Sequence, residues 1–356
     1  MQVIKRNSSI ELLKIVAVFL IVLSHSLPVN NSEAEWYINI KSATSNVSYI
    51  SMLFFSYCGQ IGNEIFFICS AWFLVDYYNR GGRIKFDKIK NIVIETVFVS
   101  YLYLFITTVV LKQHVSGFMI LESLLPISTE HYWFITAYLF FNIFCPILHM
   151  YLINCERKQQ RKVCMFIIIV YMIAGNLIPL QGDLYFCNKV IMFLGLYACV
   201  FYIKETKMNF SKPVLGIGIL LFLLIGEILL TEMIGLKVNV FSNQMNHWAT
   251  MMNPIVFLMC MLIFQVFSNI NYYSKLINVL SSMSLLVYLF TANSLYSVFI
   301  RTKYFDLWYR QFGNISIQCC IGLACIQLVY GLGMSVLYKQ CVSKGKSIMK
   351  MMHLGK

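Results

Sequence analysis

The first apolar run of the chain holds three ionisable residues, Glu11, Lys14 and His25. Ionisable groups at membrane depth are costly to bury, so those that persist there usually serve pairing or chemistry. A helix turns about 100° and rises about 1.5 Å per residue, so Lys14 and His25 would fall within about 20° of one stripe, about 16 Å apart. A cation would then stand near one helix end and an imidazole in the opposite half of the bilayer. The cation suits a phosphate or carboxylate. The imidazole, with an ordinary pKa near 6.5, suits proton transfer near neutrality. Taken singly, Lys14 also fits a snorkelling lysine at a helix end, and His25 a hydrogen bond between helices.

Further chemistry-bearing residues punctuate the apolar runs. Glu64 lies in Gly62-Asn63-Glu64-Ile65-Phe66-Phe67. A carboxylate there pairs with His25 or a loop cation, or rests at a helix start where the dipole favours it. Glu95 sits near the end of its run, and Glu227 lies mid-run in need of a partner. His131-Tyr132-Trp133-Phe134 opens another run, in a pattern that an interfacial aromatic belt also gives. The loop containing Arg80, Arg83, Lys85, Lys88 and Lys90 carries a cytoplasmic charge signature and also has the chemistry to hold phosphates. His114, His247 and His353 read as loop residues. There is no G-x-S-x-G, P-loop or dinucleotide fingerprint. No C-x-x-C pair appears among the 12 cysteines, most of which sit in apolar runs as small apolar residues. No metal site is expected.

The elements that must position these residues follow from composition. Of 356 residues, 59% are hydrophobic and 12% charged, and the mean hydropathy is +0.71. Roughly half the usual share of charge cannot cover a globular surface in water. A soluble enzyme, a disordered chain and a nucleic-acid-binding domain are excluded, despite a net charge of +13. The expected class is all-α, a polytopic membrane protein of about ten transmembrane helices. The runs are about 11–28, 60–78, 91–111, 132–153, 163–180, 187–203, 214–234, 250–269, 282–300 and 317–338. The stretch 45–59 either lengthens the second helix or lies in the interface. The first run follows Lys5 and Arg6 as a signal peptide would. With no small-residue cleavage site after Pro28, it reads as a membrane span. On this scheme 20 of the 28 lysines and arginines share one side with the termini, 7 lie on the other and Lys14 is within a span. That asymmetry predicts both termini in the cytoplasm. Residues 1–340 form a single membrane domain and 341–356 a basic tail.

The motifs together resemble the acyltransferase 3 family of integral-membrane acyltransferases. Arg6-Asn7-Ser8-Ser9-Ile10-Glu11-Leu12-Leu13-Lys14, followed by apolar residues to His25, is similar to the family's opening. Gly62-Asn63-Glu64-Ile65-Phe66-Phe67-Ile68-Cys69-Ser70 resembles its second-span motif. His131-Tyr132-Trp133-Phe134 with Pro146 resembles its His-x-Trp-Phe helix ending in proline. Ser284-Leu285-Leu286-Val287-Tyr288-Leu289-Phe290 resembles its late Tyr-Leu segment. The chain departs from the family where Lys14 replaces arginine and Thr291 replaces a frequent histidine. The paired-arginine motif is only loosely echoed by Lys85, Lys88 and Lys90.

The resemblance implies an acyltransferase of the plasma (inner) membrane with no tightly bound cofactor. It would move an acyl group, acetyl in the first instance, from cytoplasmic acyl-CoA to a hydroxyl of a cell-surface or lipid-linked glycan. His25 and Glu64 would be catalytic, the carboxylate orienting the imidazole. Lys14, Glu11, Arg83, Lys85 and Lys88 would bind the donor. His131, Trp133, Tyr288 and Asn293 would face the acceptor. Partners are then acyl-CoA, a saccharide and the bilayer, with no nucleic acid; the oligomeric state is left open. The competing readings are a transporter or flippase of a lipid-linked glycan or small solute, and a silent membrane scaffold. Neither internal repeats nor broken helices stand out in support of the transporter.

Overall fold

The computed structural model describes residues 7–27, 46–174, 185–237, 251, 253–301, 303 and 317–354. Among them, every regular element is a helix. The first, α1 (Ser8–His25), begins where the Asn7 side-chain oxygen accepts from the Ser9 N–H at 3.0 Å. A side-chain acceptor there satisfies one of the donors a helix start leaves open. The other end of the Asn7 amide donates to the Ile270 carbonyl and to Asn271, and the Ser8 N–H donates to the Tyr272 carbonyl. Ser8 Oγ accepts from the Ser274 N–H at 2.8 Å. The polar run before Glu11 thus docks the start of α1 onto residues 270–274.

The second helix, α2 (Asn46–Asn79), has 34 residues and is about 51 Å long, well over the roughly 30 Å of a hydrocarbon core. The apolar stretch 45–59 therefore lengthens this helix. It ends at Gly81, whose φ of +77° only glycine adopts freely. Helices α1 and α2 run antiparallel and make the most extensive helix pair of the molecule. Two glycines bring their backbones close, as small residues do at membrane helix crossings. A Cβ on Gly62 would strike the Ala17 carbonyl oxygen and lie 2.8 Å from Ile21 Cγ1; one on Gly59 would strike the Ser24 side chain.

The remaining helices surround this pair. They are α3 (Phe86–Phe105, continued as a π turn to Val110), α4 (Gly117–Leu124) and α5 (Trp133–Asn154), then α6 (Arg157–Phe166, continued as a π turn to Ala174) and α7 (Tyr185–Glu205). Next come α8 (Pro213–Lys237), α9 (Pro254–Ser268), α10 (Lys275–Ser281), α11 (Ser284–Thr291), a π turn at Tyr296–Arg301, and α12 (Ile317–Leu354). Besides α2, α1 touches α9, α10, α11 and α12. Phe67 of α2 stacks on Phe193 of α7 at 4.5 Å and meets Phe141 of α5 edge-on at 5.1 Å. Large apolar side chains such as Ile147, Val214 and Phe222 face outward, a distribution that only a lipid surround makes favourable.

By length and apolarity, 6 helices among the described residues can cross a membrane: α1, α2, α3 with its π turn, α5, α8 and α12. This measure does not reach the expected ten. The span expected at 163–180 falls on α6 and its π turn, with 175–184 outside the described residues. That at 187–203 falls on α7, and that at 250–269 contains α9, only 15 residues long. The span at 282–300 is broken after Thr291. There Asn293 Oδ1 accepts the N–H groups of Leu295 and Tyr296 at 3.0 and 3.2 Å and starts a new turn. A short side chain competing with the helix ladder breaks it in this way. Pro146 lies inside α5, which runs on to Asn154 rather than ending at the proline. Residues 341–354 continue α12 without interruption.

Candidate active site

The N-terminal end of the α1 stripe is a small polar cluster. Lys14 Nζ lies 3.3 Å from Glu11 Oε1, and Ser281 Oγ donates to Glu11 Oε2 at 2.5 Å. The Lys14 ammonium also stands 5.7 Å from the Phe73 ring, while that of Lys85 sits 3.7 Å over Tyr77. Residues four apart share a helix face, so Phe73 and Tyr77 set two ammonium groups along one stripe of α2. Arg83 is exposed, and its carbonyl accepts from the Tyr77 hydroxyl at 2.8 Å. Lys88 turns inward and donates to the Tyr138 hydroxyl on α5 at 3.2 Å. Of the expected donor-binding residues, Lys14 and Glu11 form an ion pair, Lys85 and Arg83 meet Tyr77 one turn along α2 from the Phe73 that faces Lys14, and Lys88 bonds to α5.

Positions 14, 18, 21 and 25 fall on one helix face. Between its ends, Val18 and Ile21 border a cavity of about 10 Å³, walled also by Asn63, Phe66, Phe134, Leu285 and Tyr288. That is room for about one water molecule. The Oδ1 atom of Asn63 is buried without a hydrogen bond. The cavity thus lies along the line from Lys14 to His25. Tyr288, expected on the acceptor side, lines this mid-helix cavity.

His25 closes α1, and its Nδ1 is buried without a hydrogen-bond partner. Arg301, on the π turn after α11, donates to Ser297 Oγ. Glu64 is not brought to His25. Gly59 and Gly62 face α1, and two residues of helix turn carry position 64 about 200° away from position 62. Glu64 is fully buried, and neither of its carboxylate oxygens has a hydrogen bond. Its charge reaches Cys199 on α7 and Cys260 on α9. Thr291, at the family's histidine position, is fully buried and donates to the Val287 carbonyl at 2.8 Å.

A second cluster forms where the loop before α5 meets the break after α11. Asn293 Oδ1 is occupied by two backbone N–H groups, so its amide nitrogen must face the other way. That nitrogen donates to His131 Nε2 at 3.1 Å and to the Tyr132 hydroxyl at 2.7 Å. Tyr132 in turn donates its hydroxyl hydrogen bond to the Leu289 carbonyl at 3.2 Å. Because Nε2 accepts, the neutral imidazole carries its hydrogen on Nδ1. That atom lies 3.5 Å from Ser294 Oγ and 3.9 Å from the Glu122 carboxylate. His131 is therefore committed to holding α11 against the α4–α5 corner and has no free basic nitrogen. Trp133 stands apart, with the Lys189 ammonium 5.3 Å from its ring and ion-paired to Glu130 at 2.7 Å.

Burial lowers the His131 pKa from 6.5 to about 4 and raises that of Glu122 above the ordinary carboxylate range. Protonating Nε2 would also set two donors against each other at Asn293. A histidine with a depressed folded-state pKa stabilises fully above pH 6.5 and loses that contribution as pH falls toward 4. The expected loss by pH 5 is about 2 kcal/mol from this group. Thermal unfolding of the detergent-solubilised protein at pH 7 and pH 5 measures it against His131→Gln. A variant as acid-sensitive as the wild type would disprove the assignment.

Several residues now at these sites carried no sequence signal that sets them apart. Arg301 counted only as an outer-side charge, and Glu122 lay in a loop without a motif. Gln327 of α12, whose amide nitrogen donates to Ser26 Oγ at 2.6 Å, is in sequence a lone amide in an apolar run. His149 is buried between Leu148 and Met150 in sequence. Its Nδ1 is 2.8 Å from the Tyr197 hydroxyl, and its Nε2 has no hydrogen bond. Its one signal was a lone histidine in an apolar helix, a pattern that packing also produces.

A family model described as an acyltransferase domain matches residues 7–334. No curated protein and no solved structure matches the chain.

Proposed function

The chain belongs to the acyltransferase family whose model spans it, and from that premise we propose that it moves an acetyl group from cytoplasmic acetyl-CoA to a hydroxyl of a cell-surface or lipid-linked glycan. The observation that carries this reading is the α1 stripe: the Lys14 ammonium paired to Glu11, a cavity at Val18 and Ile21, and an imidazole at His25. Its length of about 16 Å compares with an extended pantetheine arm. Lys14 and Lys85 would hold the donor phosphates, and the thioester would come to rest at His25.

There the imidazole takes the proton of the acceptor hydroxyl as its oxygen attacks the thioester carbonyl. The new C–O bond forms, the C–S bond breaks, and the proton passes to the leaving thiolate. Glu64 stands outside this step, on the far side of α2. With a cytoplasmic donor, the orientation expected from the charge distribution puts both termini on the donor side. Cysteine labelling at position 85 is then expected from the cytoplasm, and at position 120 from outside. The reverse pattern would put the donor site on the wrong face.

The experiment for the function itself is the mass of the cell-surface glycan with and without this protein. Loss of one acetyl unit per repeat is the expected result. An unchanged mass would overturn the proposal, and a missing glycan would indicate transport instead.

A further inference from the structure

The cavity between the two ends of the α1 stripe is largely apolar. Val18, Ile21, Phe66, Phe134 and Leu285, which border it, offer no side-chain hydrogen bond. Asn63 borders it too. Its side chain is 6% exposed, and its Oδ1 is buried without a partner. The close approach of α2 to α1 is made by Gly59 and Gly62, so this amide is not what joins the two helices. A buried amide oxygen with no partner costs free energy that an apolar side chain avoids, and it is acceptable where a ligand completes it.

A pantetheine arm would bring such a ligand. It carries two secondary amides, and in an apolar passage each loses its water and needs a new partner. Val18 and Ile21 lie seven and four residues before His25, about 10 and 6 Å along the helix axis. With the thioester at His25, the second amide nitrogen of an extended arm lies seven bonds from the sulfur, about 8 Å away. That is the level of the cavity and of Asn63. We propose that Asn63 is a donor-binding residue whose Oδ1 accepts from this second amide N–H of the pantetheine arm and so fixes how far the thioester reaches toward His25. The inference rests on acyl transfer at His25 and adds to it the group that grips the arm.

The cavity of about 10 Å³ has room for one water molecule, so the arm must widen it. A second cavity, of about 30 Å³, lies on the other side of Val18 and is bordered by Ser284, Val287 and Leu328. Helix α11 thus has unfilled space on both faces, with Leu285 and Tyr288 toward the first cavity and Ser284 and Val287 toward the second. It moves into the second as the arm enters the first.

The test is calorimetric binding of CoA to the full-length protein in detergent. A CoA analogue with oxygen in place of the second amide nitrogen is measured beside it. The wild type should bind the analogue about tenfold or more weakly than CoA, a comparison that needs no variant to fold. Asn63→Leu should bind CoA weakly by a similar factor and should not distinguish it from the analogue. Its thermal stability without donor should equal or exceed that of the wild type, because an unpartnered buried amide has been removed. A residue that only supports the fold would show the opposite. A wild type that binds CoA and the analogue alike overturns the contact, whatever the variant does. Asn63→Leu with wild-type affinity for CoA also overturns it, and leaves Asn63 holding a water molecule only. Turnover of radiolabelled acetyl-CoA separates the two claims. Acetyl transfer by a wild type that does not distinguish the two donors refutes this inference alone. Asn63-dependent binding of CoA without acetyl transfer refutes the reaction and leaves the contact standing.

Discussion

His25→Ala inserts and folds as the wild type does, and loses acyl transfer by about 100- to 10,000-fold, the range expected when a general base is removed. Normal folding is expected because the ring's Nδ1 has no hydrogen bond to lose. The cap at the end of α1 is made by the backbone N–H of Ser26, which reaches the Leu23 and Ser24 carbonyls, and Ser26 Oγ bonds the Val22 carbonyl. None of these bonds uses the imidazole. The measurement is acetyl transfer from acetyl-CoA at matched membrane levels, with thermal unfolding in detergent as the control for folding. Wild-type turnover in this variant would remove His25 from the mechanism. A variant that fails to reach the membrane would instead assign it a structural role.

Gly62→Ala produces the second large effect, through packing. A methyl group at this position meets the Ala17 carbonyl oxygen and stands 2.8 Å from Ile21 Cγ1. The carbonyl belongs to the helix backbone and cannot turn aside, so α1 and α2 must move apart. Overpacking of this kind costs about 1–3 kcal/mol. The displacement also moves Ile21 and Asn63, two walls of the cavity between Lys14 and His25. Thermal stability and acyl transfer are therefore expected to fall together, and Gly62→Val to lower membrane accumulation further. Gly218→Ala in α8 is the matched control. A Cβ there meets nothing within 4 Å, and exchanging a helical glycine for alanine gains up to about 1 kcal/mol. If both variants behaved alike, the close approach of α1 and α2 would not be what fixes this glycine.

The sequence by itself determined the helical membrane class, the common stripe of Lys14 and His25, and the family resemblance that the match over residues 7–334 bears out. Each depends on one element at a time. Scarce charge excludes a water-exposed surface, and helical periodicity fixes which residues of a single helix share a face. The tertiary structure decided everything that requires two elements. Glu64 reads as a partner for His25 or a loop cation, or as a carboxylate at a helix start, yet faces α7 and α9 because Gly59 and Gly62 give the opposite side of α2 to α1. His131 reads as an acceptor-side residue or part of an interfacial belt, and the structure shows Asn293 occupying its Nε2 from a position 162 residues away. Gln327 comes to the end of α1 only because α12 packs against α1. Helix–helix contact in a membrane is set by where small residues let backbones approach and by which polar atoms find each other across the gap. Those are relations between segments far apart in the chain, which no periodicity within one segment encodes.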